Sequence, residues 1–263
     1  MRGITVELTH EEYRTAWHAL GLGIRHWNLD LPSLPELTEQ QRRAQFGRTL
    51  DGLRARGLAD HRSLAPVLED PLRLLADPAR EINGWVQAGT AQVRLLAGSR
   101  GEWGVLAMLD ERRLVVRTGP ADELCTAVAR QLPDRPAGPG LSVSVPSELL
   151  VQPAGDGQRG LTGEQLENRL IRGGVTPVDA RAFAVMVHGP KLGGGKFGVA
   201  RRDRAGRRHS AGTALVYLTT ERGGYTLQPV HGPDRSEWTT LAPATLPQVA
   251  QRIAQLLDSV RVC

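Results

Sequence analysis

The sequence predicts an α+β protein built from two similar halves, and three observations carry this prediction. Each half begins with amphipathic helices, continues with about four short strand-like runs and ends with a helix. The step into the last helix is alike in both halves, Gly119-Pro120-Ala121 and then Ala242-Pro243-Ala244. A loop rich in proline and glycine, residues 133–140, divides the chain near its middle. We therefore expect an internal duplication, with residues 1–150 and 151–263 as the two halves of one domain.

The helix starts of the first half are signalled by capping residues. Thr9 with Glu12, and Thr38 with Gln41, have the spacing of capping boxes, in which each side chain satisfies a free backbone N–H. Apolar residues at helical spacing follow both pairs. A third, shorter helical stretch is expected over residues 64–76.

The pattern then changes to the short alternating runs of β-strands. These runs cover residues 81–88, 92–97, 103–109 and 114–117. Turn residues separate them, which predicts an antiparallel meander. A helix follows, carries Cys125 on its apolar stripe and ends before Pro133.

The second half repeats this order. Thr162 with Gln165 caps one helix, and Thr176-Pro177 opens another. The strand-like runs that follow cover residues 196–202, 213–219, 225–230 and 238–241, before a last helix over 246–260. Because an isolated four-stranded meander leaves two exposed edges, we expect the two halves to share one sheet.

The composition is that of an ordinary globular protein. The chain is 40% hydrophobic and 23% charged, and no apolar run approaches the ~20 residues that span a bilayer. The first residues form a strand-like run in place of the apolar stretch of a signal peptide. The two cysteines lack metal-ligand spacing and form no disulfide framework. We expect a cytoplasmic protein without membrane insertion.

The positive charge is concentrated in residues 191–208, which hold seven basic side chains and one acid. Residues 201–208 predict a hairpin with a charged tip. Because clustered arginines bind the phosphate backbone irrespective of sequence, a nucleic-acid-binding module using residues 191–208 is the alternative function. The same charge also suits an acidic protein surface, or a solvated turn that protects strand edges from aggregation.

No motif predicts catalysis, a cofactor or a metal. The segment Gly193–Gly198 formally contains GxGxxG, but it follows a helix and enters a strand, the reverse of a dinucleotide-binding loop. We interpret it as a flexible connection. The seven histidines lack metal-binding spacing, and there is no GxSxG elbow. We expect no enzyme activity, and an enzyme with a dispersed site is the other alternative.

Ordered segments along nearly the whole chain resemble one known family. They are Leu20-Gly21-Leu22-Gly23, residues 138–146, residues 175–181, residues 197–208 and the run from Trp238 to Ala244. These segments are similar to the EspG family of proteins associated with actinobacterial type VII (ESX) secretion, over about residues 4 to 260. In two places the sequence departs from the family pattern, at Thr220–Tyr225 and at Lys196.

The resemblance implies a central antiparallel sheet that is shared by two quasi-symmetric halves and flanked by helical bundles. It also implies a cytosolic chaperone or adaptor that catalyses no chemistry. Its partner would be a helical secretion substrate, a PE–PPE protein pair, which it keeps soluble and helps to deliver for export.

We expect the strands of the second half and the basic hairpin to present a largely preformed surface to this substrate. An apolar or aromatic centre with arginines at the rim is typical of protein interfaces. The expected contact residues are Phe197, Val199, Arg201, Tyr217, Thr219, Arg222, Tyr225 and Gln228.

Overall fold

The computed structural model describes residues 3–32, 38–150, 161–231 and 236–262. The first half contains β1 (Thr5–Thr9), α1 (His10–Ala19), α2 (Glu39–Ala55), α3 (Pro66–Ala76), β2 (Arg80–Ala88), β3 (Ala91–Arg100), β4 (Trp103–Leu109), β5 (Arg113–Pro120) and α4 (Leu124–Ala129). After the dividing loop come β6 (Val143–Pro146), α5 (Gly163–Arg172), α6 (Pro177–Val187), β7 (Gly193–Arg202), β8 (Arg208–Thr220), β9 (Gly223–His231), β10 (Glu237–Pro243) and α7 (Leu246–Ser259). One-turn 3₁₀ helices cover Trp27–Leu29 and Ser147–Leu150.

The strands form one ten-stranded antiparallel sheet in the order β1-β5-β4-β3-β2-β7-β8-β9-β10-β6. The order of the first five strands is mirrored in the last five about the central pair β2–β7. β5 ends at Pro120 and leads into α4, and β10 ends at Pro243 and leads into α7. The predicted duplication and the shared sheet are both confirmed.

The helix starts follow the predicted local chemistry. Thr9 Oγ1 accepts a hydrogen bond from the backbone N–H of Glu12 at 3.1 Å, and the Thr9 N–H donates to Glu12 Oε2 at 2.8 Å. The pair Thr38 and Gln41 caps α2 in the same way, and Thr162 and Gln165 cap α5. Each cap satisfies backbone donors that a helix leaves free at its first turn.

The two faces of the sheet are covered differently. On one face, α4 and α7 pack against each other and against strands of both halves, around residues such as Ile82, Phe197 and Tyr217. We call this the covered face. On the opposite face, α1–α3 cover the outer strands of the first half, and α5–α6 cover those of the second. The middle of that face stays accessible between the two helical groups, and we call it the open face.

The glycine-rich segment lies inside β7, so its prediction as a flexible connection is wrong. Gly193–Gly195 pair with β2 on one side and with β8 on the other. A Cβ atom on Gly194 would lie 2.3 Å from the carbonyl oxygen of Tyr217. These glycines therefore permit close strand packing at the centre of the sheet.

Among the described residues, no helix is both long and apolar enough to cross a membrane.

Candidate partner-binding groove

A row of side chains on the open face runs across all ten strands in direct register. The row is Leu8, Leu114, Leu109, Arg94, Trp85, Lys196, Val216, Leu227, Leu241 and Val143. The outer members are buried beneath helices, whereas the five from Arg94 to Leu227 are half-buried or exposed. The two helical groups thus leave a strip of sheet uncovered at the centre of the molecule.

This strip forms a groove of about 520 Å³ between β2, β7, β8, β9 and β10. Its floor is apolar at Ala214, Val216, Leu227 and Pro229. Its rim carries the polar side chains Asn83, Lys196, Arg208, Ser210, Glu237 and Thr239. An apolar centre inside a polar rim is the arrangement found in protein–protein interfaces. We call this site the sheet groove.

A buried ion cluster fixes one end of the sheet groove. The Glu81 side chain is 5% exposed, and its carboxylate accepts hydrogen bonds from Arg208 Nε at 3.1 Å and Nη2 at 2.7 Å. Asn83 Nδ2 also donates to it at 2.8 Å, and His26 Nε2 lies 3.2 Å away. Burial alone would raise the pKa of Glu81, but His26 and Arg208 lower it to about 2. The cluster holds the Arg208 guanidinium at the groove rim.

The predicted basic hairpin is present as the turn between β7 and β8. Its centre is Asp203, whose buried carboxylate accepts hydrogen bonds from His209 Nε2 at 3.0 Å and from Arg207 Nε at 2.8 Å. The backbone N–H groups of Ala205 and Arg207 also donate to it, each at 2.9 Å. The hydrogen bond from His209 and those from Arg207 hold the pKa of Asp203 below its ordinary value.

Internal ion pairs engage much of the hairpin's positive charge. Arg202 Nε lies 2.8 Å from Asp77, while Arg207 pairs with Asp203 and Arg208 with Glu81. Three of the five arginines in residues 201–208 therefore have a carboxylate partner within the fold. This arrangement gives the hairpin a structural role, and it leaves less charge for a phosphate backbone than the sequence suggests.

The structure buries five of the eight predicted contact residues. Phe197, Val199 and Tyr217 lie in the core beneath α4 and α7, and Thr219 is buried on the same strand, with its hydroxyl donating to the Gly193 carbonyl at 3.1 Å. Tyr225 is buried beneath α6, and its hydroxyl donates to the Pro139 carbonyl at 3.2 Å. In this conformation these side chains are buried and support the fold, and their contact role stays a prediction.

The other three predicted contact residues keep accessible side chains. Arg222 is exposed in the turn between β8 and β9, and Arg201 and Gln228 are half-buried. By register, Arg201 lies opposite Arg80 and Gln228 opposite Thr240. Val199 borders the sheet groove, whereas these three lie outside its described lining. A binding role for these three stays a prediction.

On β7 and β8 the apolar residues selected from the sequence lie on the covered face, whereas Tyr225 of β9 lies beneath α6 on the opposite face. Side chains alternate between the two faces of a strand, so a shift by one residue selects the opposite face. Phe197 and Tyr217 belong to the covered face, and their neighbours Lys196 and Val216 belong to the open one. The available signal was residue size, because the larger apolar members of β7 and β8 pack beneath the long apolar helix α7.

The groove also includes residues of the first half, which the sequence did not single out. Asn83 is part of its lining. Glu81 pairs with Arg208, and His26 lies 3.2 Å from Glu81. These residues come from distant parts of the chain, so their spacing in the sequence could not predict that they lie close together. Within the described parts of the chain, no group of three or more His, Cys, Asp or Glu residues is placed to hold a metal ion.

A comparison with family models identifies one family, and a comparison with solved structures identifies a similar fold. The family model described as the EspG family matches residues 9–255. A solved structure, the Mycobacterium tuberculosis type VII secretion system chaperone EspG5 in complex with the PE25–PPE41 dimer, is similar with a TM-score of 0.72 and 15% sequence identity. The similarity covers 98% of this chain and 97% of that chain. The curated proteins gave no match.

Proposed function

The chain belongs to the EspG family, and we propose that it is a cytosolic type VII secretion chaperone that binds a helical PE–PPE substrate pair. It keeps the pair soluble for export and catalyses no reaction. The family match over residues 9–255 supports this proposal. So does the full-length similarity to a chaperone whose structure was solved with a PE–PPE dimer.

The sheet groove is the observation that carries the proposal. Strands in a sheet lie about 4.8 Å apart, so the open strip from β3 to β9 is about 19 Å wide. An α-helix with its side chains is about 10–12 Å across. The groove therefore has room for one helix or for the tip of a helical hairpin, and its floor offers Val216 and Leu227 to an apolar side chain.

Co-expression with a candidate PE–PPE pair tests the proposal. We expect the wild-type chain to form a stoichiometric complex and the pair to become insoluble without it. Leu227→Asp places a charge on the apolar floor and should weaken the complex about ten-fold or more, as loss of a central interface contact does. Challenging the complex of the tagged wild type with an excess of each untagged variant, and measuring how much of the pair is exchanged, gives the relative affinities.

Ile4→Asp is the matched control, because Ile4 is an exposed aliphatic residue beside the outer strand β1, far from the groove. It should bind like the wild type. A substrate pair that stays soluble alone and does not bind would overturn the chaperone function. Normal binding by Leu227→Asp would overturn the groove as the site and leave the function standing.

A further inference from the structure

The loop of residues 20–32 in the first half lies beside the sheet groove and exposes two large hydrophobic side chains. We propose that this segment, the Trp27 loop, is a second contact surface for the same substrate pair. It would receive an apolar side chain that the partner flanks with carboxylates. The inference rests on the proposed function and adds to it a contact from the other half of the molecule.

The exposure of the loop's hydrophobic residues needs an explanation. Ile24 is 99% exposed and Trp27 is 62% exposed. Tryptophan is among the residues most enriched at the energetic centres of protein interfaces. Neither side chain is a member of the buried core clusters.

The Trp27 loop is held rigidly by its other residues. Asn28 is fully buried, and its Nδ2 donates to the carbonyl oxygens of Gly84 at 2.8 Å and Leu95 at 2.7 Å. Trp17 Nε1 donates to the Gly23 carbonyl at 2.9 Å, where Gly23 has a left-handed φ of 71°. A loop fixed in this way presents Trp27 without a large loss of conformational entropy on binding.

The Trp27 loop and the sheet groove form one continuous surface. The rings of His26 and Trp27 are 5.3 Å apart, and His26 lies 3.2 Å from Glu81, which holds Arg208 at the groove rim. Arg94 Nη1 donates to the Trp27 carbonyl at 3.4 Å. Arg94 is also opposite Trp85 in the sheet, and Trp85 is opposite Lys196. Arg94 and Trp85 therefore lie on the sheet between the groove and the loop.

The charge at this junction indicates what kind of partner fits. Within the described residues, Arg94 and Lys196 form no ion pair, and the hydrogen bonds of Arg94 go to backbone carbonyls. Arg208 gives two N–H groups to Glu81 and has further donors at the rim. Glu237 and the exposed Asp30 also border this surface. Carboxylates of the partner would therefore complement only the part that carries Arg94, Lys196 and Arg208, with their main effect on the association rate.

The same exchange of the substrate pair from tagged wild type to untagged Trp27→Ala or Ile24→Asp tests the inference. We expect each variant to bind about ten-fold more weakly while its thermal unfolding is unchanged. Trp103→Ala is the matched control, since Trp103 is a 45% exposed tryptophan of the same half that lines a separate cavity. It should bind like the wild type.

The outcomes separate the inference from the proposed function. If both loop variants bind normally while Leu227→Asp does not, the loop is no contact surface and the chaperone function stands. If Trp27→Ala instead abolishes self-association in sedimentation, the occupant is a second copy and the inference fails. If the wild type does not bind the pair, both fail. If rising salt releases the pair equally from wild type and from Lys196→Gln, the partner places no carboxylates against this surface.

Discussion

Glu81 shows how a single residue ties the two halves together at the site. It belongs to β2 of the first half, yet its carboxylate binds Arg208 of β8 and lies 3.2 Å from His26 of the Trp27 loop. A buried carboxylate is costly unless cations and hydrogen bonds compensate for its lost solvation. Here they do, because the pKa of Glu81 falls to about 2 despite its burial.

This lowered pKa predicts how stability depends on pH. The folded pKa of about 2 is below the ordinary value of 4.5, so the stabilisation is present above pH 4.5 and is lost as the pH falls towards 2. The shift corresponds to about 3 kcal/mol, of which about 2 kcal/mol is lost by pH 3. Urea unfolding from pH 6 to pH 3 should show this loss.

Glu81→Gln isolates the contribution of this carboxylate from those of the other acids. The variant should unfold more easily at neutral pH, because Arg208 loses its charged partner. Its free-energy difference from the wild type should then narrow as the pH falls. A difference that stays constant from pH 6 to pH 3 would show that Glu81 is not the titrating group.

At the scale of one element, neighbouring residues of β8 have different roles: one packs in the core and the next lines the proposed binding groove. Tyr217 points to the covered face and is 1% exposed, and burial raises its pKa to about 12. Its neighbour Val216 points to the sheet groove and is half-buried. Substitution of Tyr217 is therefore expected to change stability, and substitution of Val216 is expected to change binding.

Tyr217→Ala and Val216→Asp make this difference measurable. Removing a buried aromatic side chain costs about 3–5 kcal/mol, so Tyr217→Ala should lower the urea midpoint strongly. The fraction that remains folded should bind the substrate pair normally. Val216→Asp should change stability by about 1 kcal/mol or less and weaken binding. If Tyr217→Ala kept its stability and lost binding, the assignment of the two faces would be reversed.

A comparison of the helix caps with strand β8 shows which features could be predicted from the sequence and which could not. The capping pairs such as Thr9 with Glu12 were predictable because both partners lie within one turn of helix. The face of β8 was not, because it depends on where α7 docks more than twenty-five positions later. Gly193–Gly195 were misread for a similar reason, since the backbone that crowds them belongs to β2 and β8.

At the scale of the whole molecule, the duplication determines what each half lacks on its own. β6 pairs with β10 and begins at Val143, so we propose that the second half starts within residues 133–140 and not at 151. The halves meet along the nine paired positions of β2 and β7, and α4 and α7 bury one common core. A separated half would expose a long strand edge and part of that core.

A split between Asp134 and Arg135 tests this dependence. We expect fragments 1–134 and 135–263 to be insoluble or unfolded when expressed singly, and to form a folded one-to-one complex when co-expressed.

Gly84→Val in the first fragment should prevent reassembly, because a Cβ at Gly84 would lie 2.0 Å from the Lys196 carbonyl oxygen across the central pair. Gly52→Ala, at an α2 position with no neighbouring atom within 4 Å, should reassemble normally. Circular dichroism and gel filtration report both results, and a single fragment that folds as a stable monomer would mean that each half carries a sufficient core.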